Sequence, residues 1–169
     1  YIDEKSNQQI MRYDVEPKIE PLSFDFPPEW NNLYDALIIS DYNKGFLTTE
    51  KIFELTSRFV GPVFIDSKKT NLPADAYIKV NELEHERMAY CNYENLIITR
   101  GGEGAEYKGD LYPAEKVNVF DVVGAGDTFL AALTYGYLKY GRIDKAIPLA
   151  NKAAAVAVSH RGTYVLTEE

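Results

Sequence analysis

Hydrophobic positions in this chain fall into short runs, and each run ends on a polar residue. Ala36-Leu37-Ile38-Ile39 ends at Ser40-Asp41, Val63-Phe64-Ile65 at Asp66, Tyr77–Val80 at Asn81, and Leu96-Ile97-Ile98 at Thr99. Apolar runs of this length predict strands covered on both faces, as in a parallel sheet. Between the first two, Thr48–Phe59 sets Ile52, Leu55 and Phe59 on one helical face behind an N-cap at Thr48 or Thr49. Gly61-Pro62 ends that helix. A short helix is predicted around residues 82–89. An antiparallel excursion is predicted over 105–119, turning near Gly109-Asp110 and Pro113. Two longer helices, near 125–140 and 144–159, close the chain. Pro148 is expected in the first turn of the second, where a missing N–H costs little.

Alternating strands and helices predict an α/β fold, a mostly parallel sheet with helices on both faces. Ligands of such sheets bind at the carboxyl ends of the strands, so Asp41, Asp66, Asn81 and Thr99 are expected around one shared site. The N-terminal stretch differs. Ile10–Glu16 alternates loosely, as an exposed strand would, and Pro17, Pro21, Pro27 and Pro28 mark a connecting loop. The expected boundary follows Trp30, dividing 1–30 from 31–169.

Composition narrows the function. The 169 residues are 46% hydrophobic and 26% charged, which suits one globular domain. A formal net charge of −8 argues against nucleic acid or an anionic membrane surface as partner. It leaves room for an anionic small molecule held by backbone N–H groups and a few cations. One cysteine, Cys91, rules out an internal disulfide and points to a reducing cytoplasm. No apolar run approaches the ~20 residues of a membrane-spanning helix. His85 and His160 lack partners at metal-ligand spacing.

The segment with the most chemistry is Asp121-Val122-Val123-Gly124-Ala125-Gly126-Asp127-Thr128. Small residues at 124–126 let a tight turn aim several backbone N–H groups at one point. The helix beginning there adds its unpaired amides and the positive end of its dipole, which together make an anion hole. Asp127, in the first turn, can accept a proton from an attacking hydroxyl. An isolated Gly-Ala-Gly-Asp can equally be a loop with a capping Asp.

The longer run, Asp121 through Ala131-Ala132-Leu133-Thr134, resembles the second consensus motif of the ribokinase-like (pfkB) carbohydrate kinases. The resemblance implies a ribokinase-like fold and ATP-dependent phosphoryl transfer to a sugar hydroxyl. Asp127 is then the base, and Gly124, Ala125 and Gly126 form the anion hole. Asn81-Glu82-Leu83-Glu84 resembles the family's Asn-x-x-Glu motif, implying that Asn81 and Glu84 hold Mg²⁺ through water; such a pattern alone is also a common helix cap. Thr99-Arg100-Gly101-Gly102-Glu103-Gly104 resembles the family's nucleotide loop, assigning Thr99, Gly101, Gly102 and Gly104 to ATP. Asn151 and the Arg161-Gly162-Thr163 turn resemble its adenine side, which adds Gly162.

Ser40-Asp41-Tyr42-Asn43-Lys44-Gly45 and Asp66-Ser67-Lys68-Lys69 resemble stretches of the members acting on heptose 7-phosphate. Lys44, Asp66 and Lys69 become candidates for phosphosugar contact. Asn7-Gln8-Gln9 and Arg12-Tyr13-Asp14 resemble that subgroup's lid, which adds Arg12 and makes 1–30 a lid-like strand and linker. The implied partners are a nucleotide and a phosphosugar. The family's first half, with a Gly-Gly sugar motif, finds no match in these residues. The expectation is therefore a C-terminal half that forms homo-oligomers or associates with an N-terminal half. Two other readings stay open: a non-catalytic module binding a nucleotide or partner, and a kinase for a different sugar.

Overall fold

The computed structural model describes residues 19–88 and 93–166. The order is α1 (Trp30–Leu33), β1 (Leu37–Asp41), α2 (Thr49–Arg58), β2 (Val63–Ser67), β3 (Tyr77–Asn81), α3 (Glu82–Arg87), β4 (Leu96–Thr99), β5 (Ala105–Tyr107), β6 (Asp110–Tyr112), α4 (Ala125–Tyr140) and α5 (Ile143–Val158). One six-stranded sheet follows chain order, β1-β2-β3-β4-β5-β6. The first four strands are parallel, and β5 and β6 fold back antiparallel. The expected excursion over 105–119 is this hairpin followed by an irregular stretch.

Side-chain alternation along the strands builds two cores. Val63 and Ile65 of β2, Ile78 and Val80 of β3 and Ile98 of β4 face one side, where Ile52 and Leu55 of α2 cover them. Phe64 and Ile97 face the other, under Phe129, Leu130 and Leu133 of α4 and Ile143, Ala146, Ile147 and Ala150 of α5. Helices thus lie on both faces. Because both faces are covered, the strands read as apolar runs. Leu22 and Phe26, N-terminal to α1, pack on the α2 side, and the Leu22 N–H donates to Phe46 O at 2.8 Å.

Local chemistry sets the helix ends. Thr48 caps α2 by accepting from the Lys51 N–H at 3.1 Å. Gly141, at φ 66°, ends α4. Pro148 differs from expectation. With α5 starting at Ile143 it falls in the second turn, inside the helix, where it removes the N–H that would meet the Asp144 carbonyl. Among the described residues no helix is long and apolar enough to cross a membrane.

Candidate active site

Two adjoining cavities open at the carboxyl ends of the strands, and Gly126 lines both. The first, about 390 Å³, lies between the turn after β4, the stretch 114–119 and α5; Thr99, Gly101, Gly102, Gly104 and Asn151 line it. Its volume is in the range of small-molecule sites. The second, about 220 Å³, is lined by Ser40, Asp41, Tyr42, Asp66, Lys68, Lys79, Asn81, Glu84, Gly124, Gly126 and Asp127. The four polar strand ends are therefore divided. Asp41, Asp66 and Asn81 reach the second cavity, and Thr99 reaches the first.

The boundary between them is the start of α4. Gly124 is its N-cap residue, in the left-handed region at φ 77°, ψ −1°, and no side chain caps the helix. The Ala125 N–H meets Val122 O at 3.3 Å, and the Thr128 N–H returns to Gly124 O at 2.9 Å. The amides of Gly126 and Asp127 belong to the first turn and have no intrahelical acceptor. With the positive end of the helix dipole they are suited to receive an anion. Asp127 projects from this turn. Its carboxylate accepts from the Tyr42 hydroxyl at 2.8 Å and the Ser40 hydroxyl at 3.4 Å. The hydrogen bond to Asp127 leads the causes that raise the Tyr42 phenol above its ordinary range.

Asn81 and Glu84 form a reciprocal capping box on α3. Asn81 Oδ1 accepts from the Glu84 N–H at 2.9 Å, and Glu84 Oε2 accepts from the Asn81 N–H at 3.0 Å. One oxygen of each side chain is thereby engaged. Among the described residues no group of three or more His, Cys, Asp or Glu forms a metal cage. This donor set fits a hydrated ion held through water at Glu84, since Mg²⁺ usually keeps several waters.

The turn after β4 is shaped by close backbone approach. Gly104 has φ 110°, and a Cβ there would stand 2.0 Å from Tyr112 O and 2.6 Å from Ala114 N. Arg100 braces the same turn through ion pairs to Glu82 and to Glu106, the latter at 2.7 Å. Asn151 is buried, and its amide donates to Tyr112 O at 2.7 Å and Pro113 O at 3.2 Å. It borders the first cavity while tying α5 to the chain leaving β6. Gly162 does not line that cavity. Its N–H donates to Asp121 Oδ2 at 3.1 Å, which anchors the C-terminal loop beside Gly124.

The candidate phosphosugar contacts separate sharply. Lys69 does not reach the second cavity; its Nζ lies 2.6 Å from Asp41 Oδ2, and that carboxylate also accepts from Ser67 Oγ at 2.7 Å and the Asn43 N–H at 2.9 Å. Burial alone would raise the Asp41 pKa, but Lys69, Ser67 and Asn43 together hold it below its ordinary value. Lys44 is exposed and is not among the lining residues. Lys68 lines the cavity instead, its ammonium 5.4 Å from the Tyr42 ring centroid. Arg12 and the other lid-like positions lie outside the described residues. Sequence reasoning missed Lys79, which pairs with Asp66 at 2.5 Å. The available signal was a lysine inside the apolar run of β3. Burial is the main cause that raises the Asp66 carboxyl, partly offset by Lys79.

Residues 69–169 match the sequence profile described as pfkB family carbohydrate kinase. The chain belongs to this family. It is 33% identical to the bifunctional protein HldE of Nitratiruptor sp. over 97% of its own length and 42% of that protein. It is 31% identical to HldE of Helicobacter pylori strain Shi470 over 96% of its length and 43% of that protein. The chain therefore spans less than half the length of these relatives. Among solved structures, Arabidopsis thaliana ribokinase complexed with ribose and ATP matches 80% of the chain and 53% of that protein, with TM-score 0.64 and 16% identity. A Burkholderia thailandensis nucleoside kinase in complex with inosine matches 76% of the chain and 51% of that protein, with TM-score 0.59 and 26% identity. The ribokinase-like fold expected from the motifs is thus present.

Proposed function

We propose that this chain carries the nucleotide-binding and phosphoryl-transfer part of an ATP-dependent sugar kinase whose acceptor is a phosphorylated heptose, attacked through its anomeric hydroxyl. The observation that carries the reading is the junction of the two cavities at the uncapped start of α4, with the Asp127 carboxylate on the second cavity's side. ATP lies in the first cavity against the turn at Gly101–Gly104, with its terminal phosphate directed at Gly126. The amides at the start of α4 receive charge that develops on the transferred group. Asp127 takes the proton of the sugar hydroxyl, and the Tyr42 hydroxyl holds the carboxylate in place. Bound Mg²⁺ would supply neutralisation of phosphate charge, held through water by Glu84 beside Asn81.

The acceptor assignment rests on the Ser40–Gly45 and Asp66–Lys69 stretches and on the similarity to HldE proteins. Further sugar-reading residues come from the remainder of the family fold, packed along β1. Among the described residues β1 pairs only with β2, and Ile38 of β1 is exposed, as are Tyr135 and Leu138 of α4. Cytoplasmic location follows as part of the same reading.

The test is phosphate transfer from ATP by the intact gene product, offered heptose 7-phosphate, ribose and fructose in turn and followed by phosphorus NMR. A new anomeric phosphate on the heptose alone supports the reading. Transfer to ribose or fructose alone keeps the kinase and overturns the acceptor. Nucleotide binding without transfer to any sugar favours a non-catalytic module.

A further inference from the structure

The second cavity contains a buried cation that none of the recognised motifs accounts for. Lys79 stands in β3 on the same sheet face as Phe64 and Ile97, and its side chain is only 7% exposed. The ammonium lies 2.5 Å from Asp66 Oδ2. It also stands 2.9 Å from the point a Cβ on Gly126 would occupy, close against that residue. The cation is therefore in contact with the first turn of α4, beside the amides suited to receive an anion.

A structural role alone accounts poorly for this placement. Exchanging a buried ion pair for apolar side chains of similar volume is often neutral or stabilising, so stability alone gives little reason to keep one. Lys79 and Asp66 both line the cavity that Asp127 and Glu84 line. A lysine is a point charge on a flexible stem with three donors, able to exchange one oxygen partner for another without moving its backbone.

We propose that Lys79 is a catalytic residue that leaves Asp66 to contact the phosphoryl group in transit past Gly126. This rests on the phosphoryl-transfer reading above. In the step, the sugar O–H bond breaks and its proton goes to Asp127. The sugar oxygen forms a new bond to the terminal phosphorus of ATP, the bond from that phosphorus to the bridging oxygen breaks, and ADP leaves with the electron pair. Lys79 keeps its proton throughout and offsets negative charge on the non-bridging oxygens. Asp66 stores the ammonium between turnovers, apart from Asp127.

The test compares wild type, D66N and the K79M/D66N double variant in the intact gene product. The double variant removes both buried charges at once, so neither is left unpaired. Two quantities are read: kcat, and the extra thermal stabilisation that fluoroaluminate adds to ADP and Mg²⁺, as a mimic of the phosphoryl group in transit. For the double variant we expect a kcat loss of about 10²-fold or more and no fluoroaluminate increment. For D66N, which frees the ammonium, the increment should equal or exceed that of wild type. A double variant with the wild-type increment and kcat within about threefold of wild type overturns the role of Lys79 alone. If the double variant does not fold, D66N decides, and a diminished increment overturns the proposal. Wild type that neither transfers phosphate nor responds to fluoroaluminate overturns the phosphoryl-transfer reading as well.

Discussion

Replacing Lys69 with methionine separates a structural lysine from a substrate-binding one. The Asp41 carboxylate is almost fully buried, with a side chain 4% exposed, and the Lys69 side chain is 12% exposed. Removing one partner of a buried pair typically costs about 3–5 kcal/mol. Here the stranded carboxylate keeps the Ser67 hydroxyl and the Asn43 amide. Those hydrogen bonds keep the stranded charge partly compensated, which puts the net loss at or just below the low end of that range, about 2–3 kcal/mol. At this chain length 1 kcal/mol moves Tm by roughly 2–4 °C, which gives a drop of about 4–12 °C by circular dichroism. The double variant D41N/K69M should recover most of it.

The pH dependence has a definite sign. The folded pKa of Asp41 is held below its ordinary value, so the pair's contribution is present above the unfolded carboxylate pKa of about 3.9 and is lost as pH falls through the folded value. The gap between wild type and K69M should therefore be full near pH 6 and close below about pH 4. Below its Tm, K69M should keep its phosphosugar KM within about threefold. An unchanged Tm together with a KM raised about tenfold or more would refute this reasoning and make Lys69 a substrate ligand.

Three further outcomes follow from the geometry. Gly104→Ala forces a Cβ against Tyr112 O at a φ of 110°, and should cost about 3 kcal/mol or more in denaturant unfolding together with weaker nucleotide binding by calorimetry. Tyr42→Phe removes the 2.8 Å bond to Asp127 at an exposed position; kcat should fall about tenfold with Tm and nucleotide KM nearly unchanged. Thr48→Ala removes the cap of α2, at a residue that lines neither cavity, and should cost about 1 kcal/mol with no change in kinetics.

The strands and the two long helices were legible because burial on both faces of a parallel sheet leaves apolar runs, and α4 and α5 are long and rich in alanine and leucine. The site was legible where backbone geometry dictates residue type. Gly124 at a left-handed φ and Gly104 against Tyr112 O each need glycine, and the spacing of those glycines is visible in the chain. What escaped was pairing. Asp-Ser-Lys-Lys does not reveal that Lys69 turns back 28 residues to Asp41 while Lys68 faces the cavity, because a one-position shift along the chain redirects the side chain. Lys79 gave no sign of its role in the chain, since its partner Asp66 is on the neighbouring strand, β2. Pro148 lies deeper in α5 than a start at Asp144 implies, because the helix begins at Ile143, between the paired Arg142 and Asp144.

The most direct measurement of the central claim is single-turnover phosphate transfer from ATP to heptose 7-phosphate by wild type and Asp127→Asn, in the intact gene product, alongside calorimetric ATP binding. The amide of asparagine keeps the size and can still accept from Tyr42, but it cannot take the proton. ATP affinity should stay close to wild type while the transfer rate falls by about 10²–10⁴-fold. Equal transfer rates in the two proteins would contradict the assignment of Asp127 as the base.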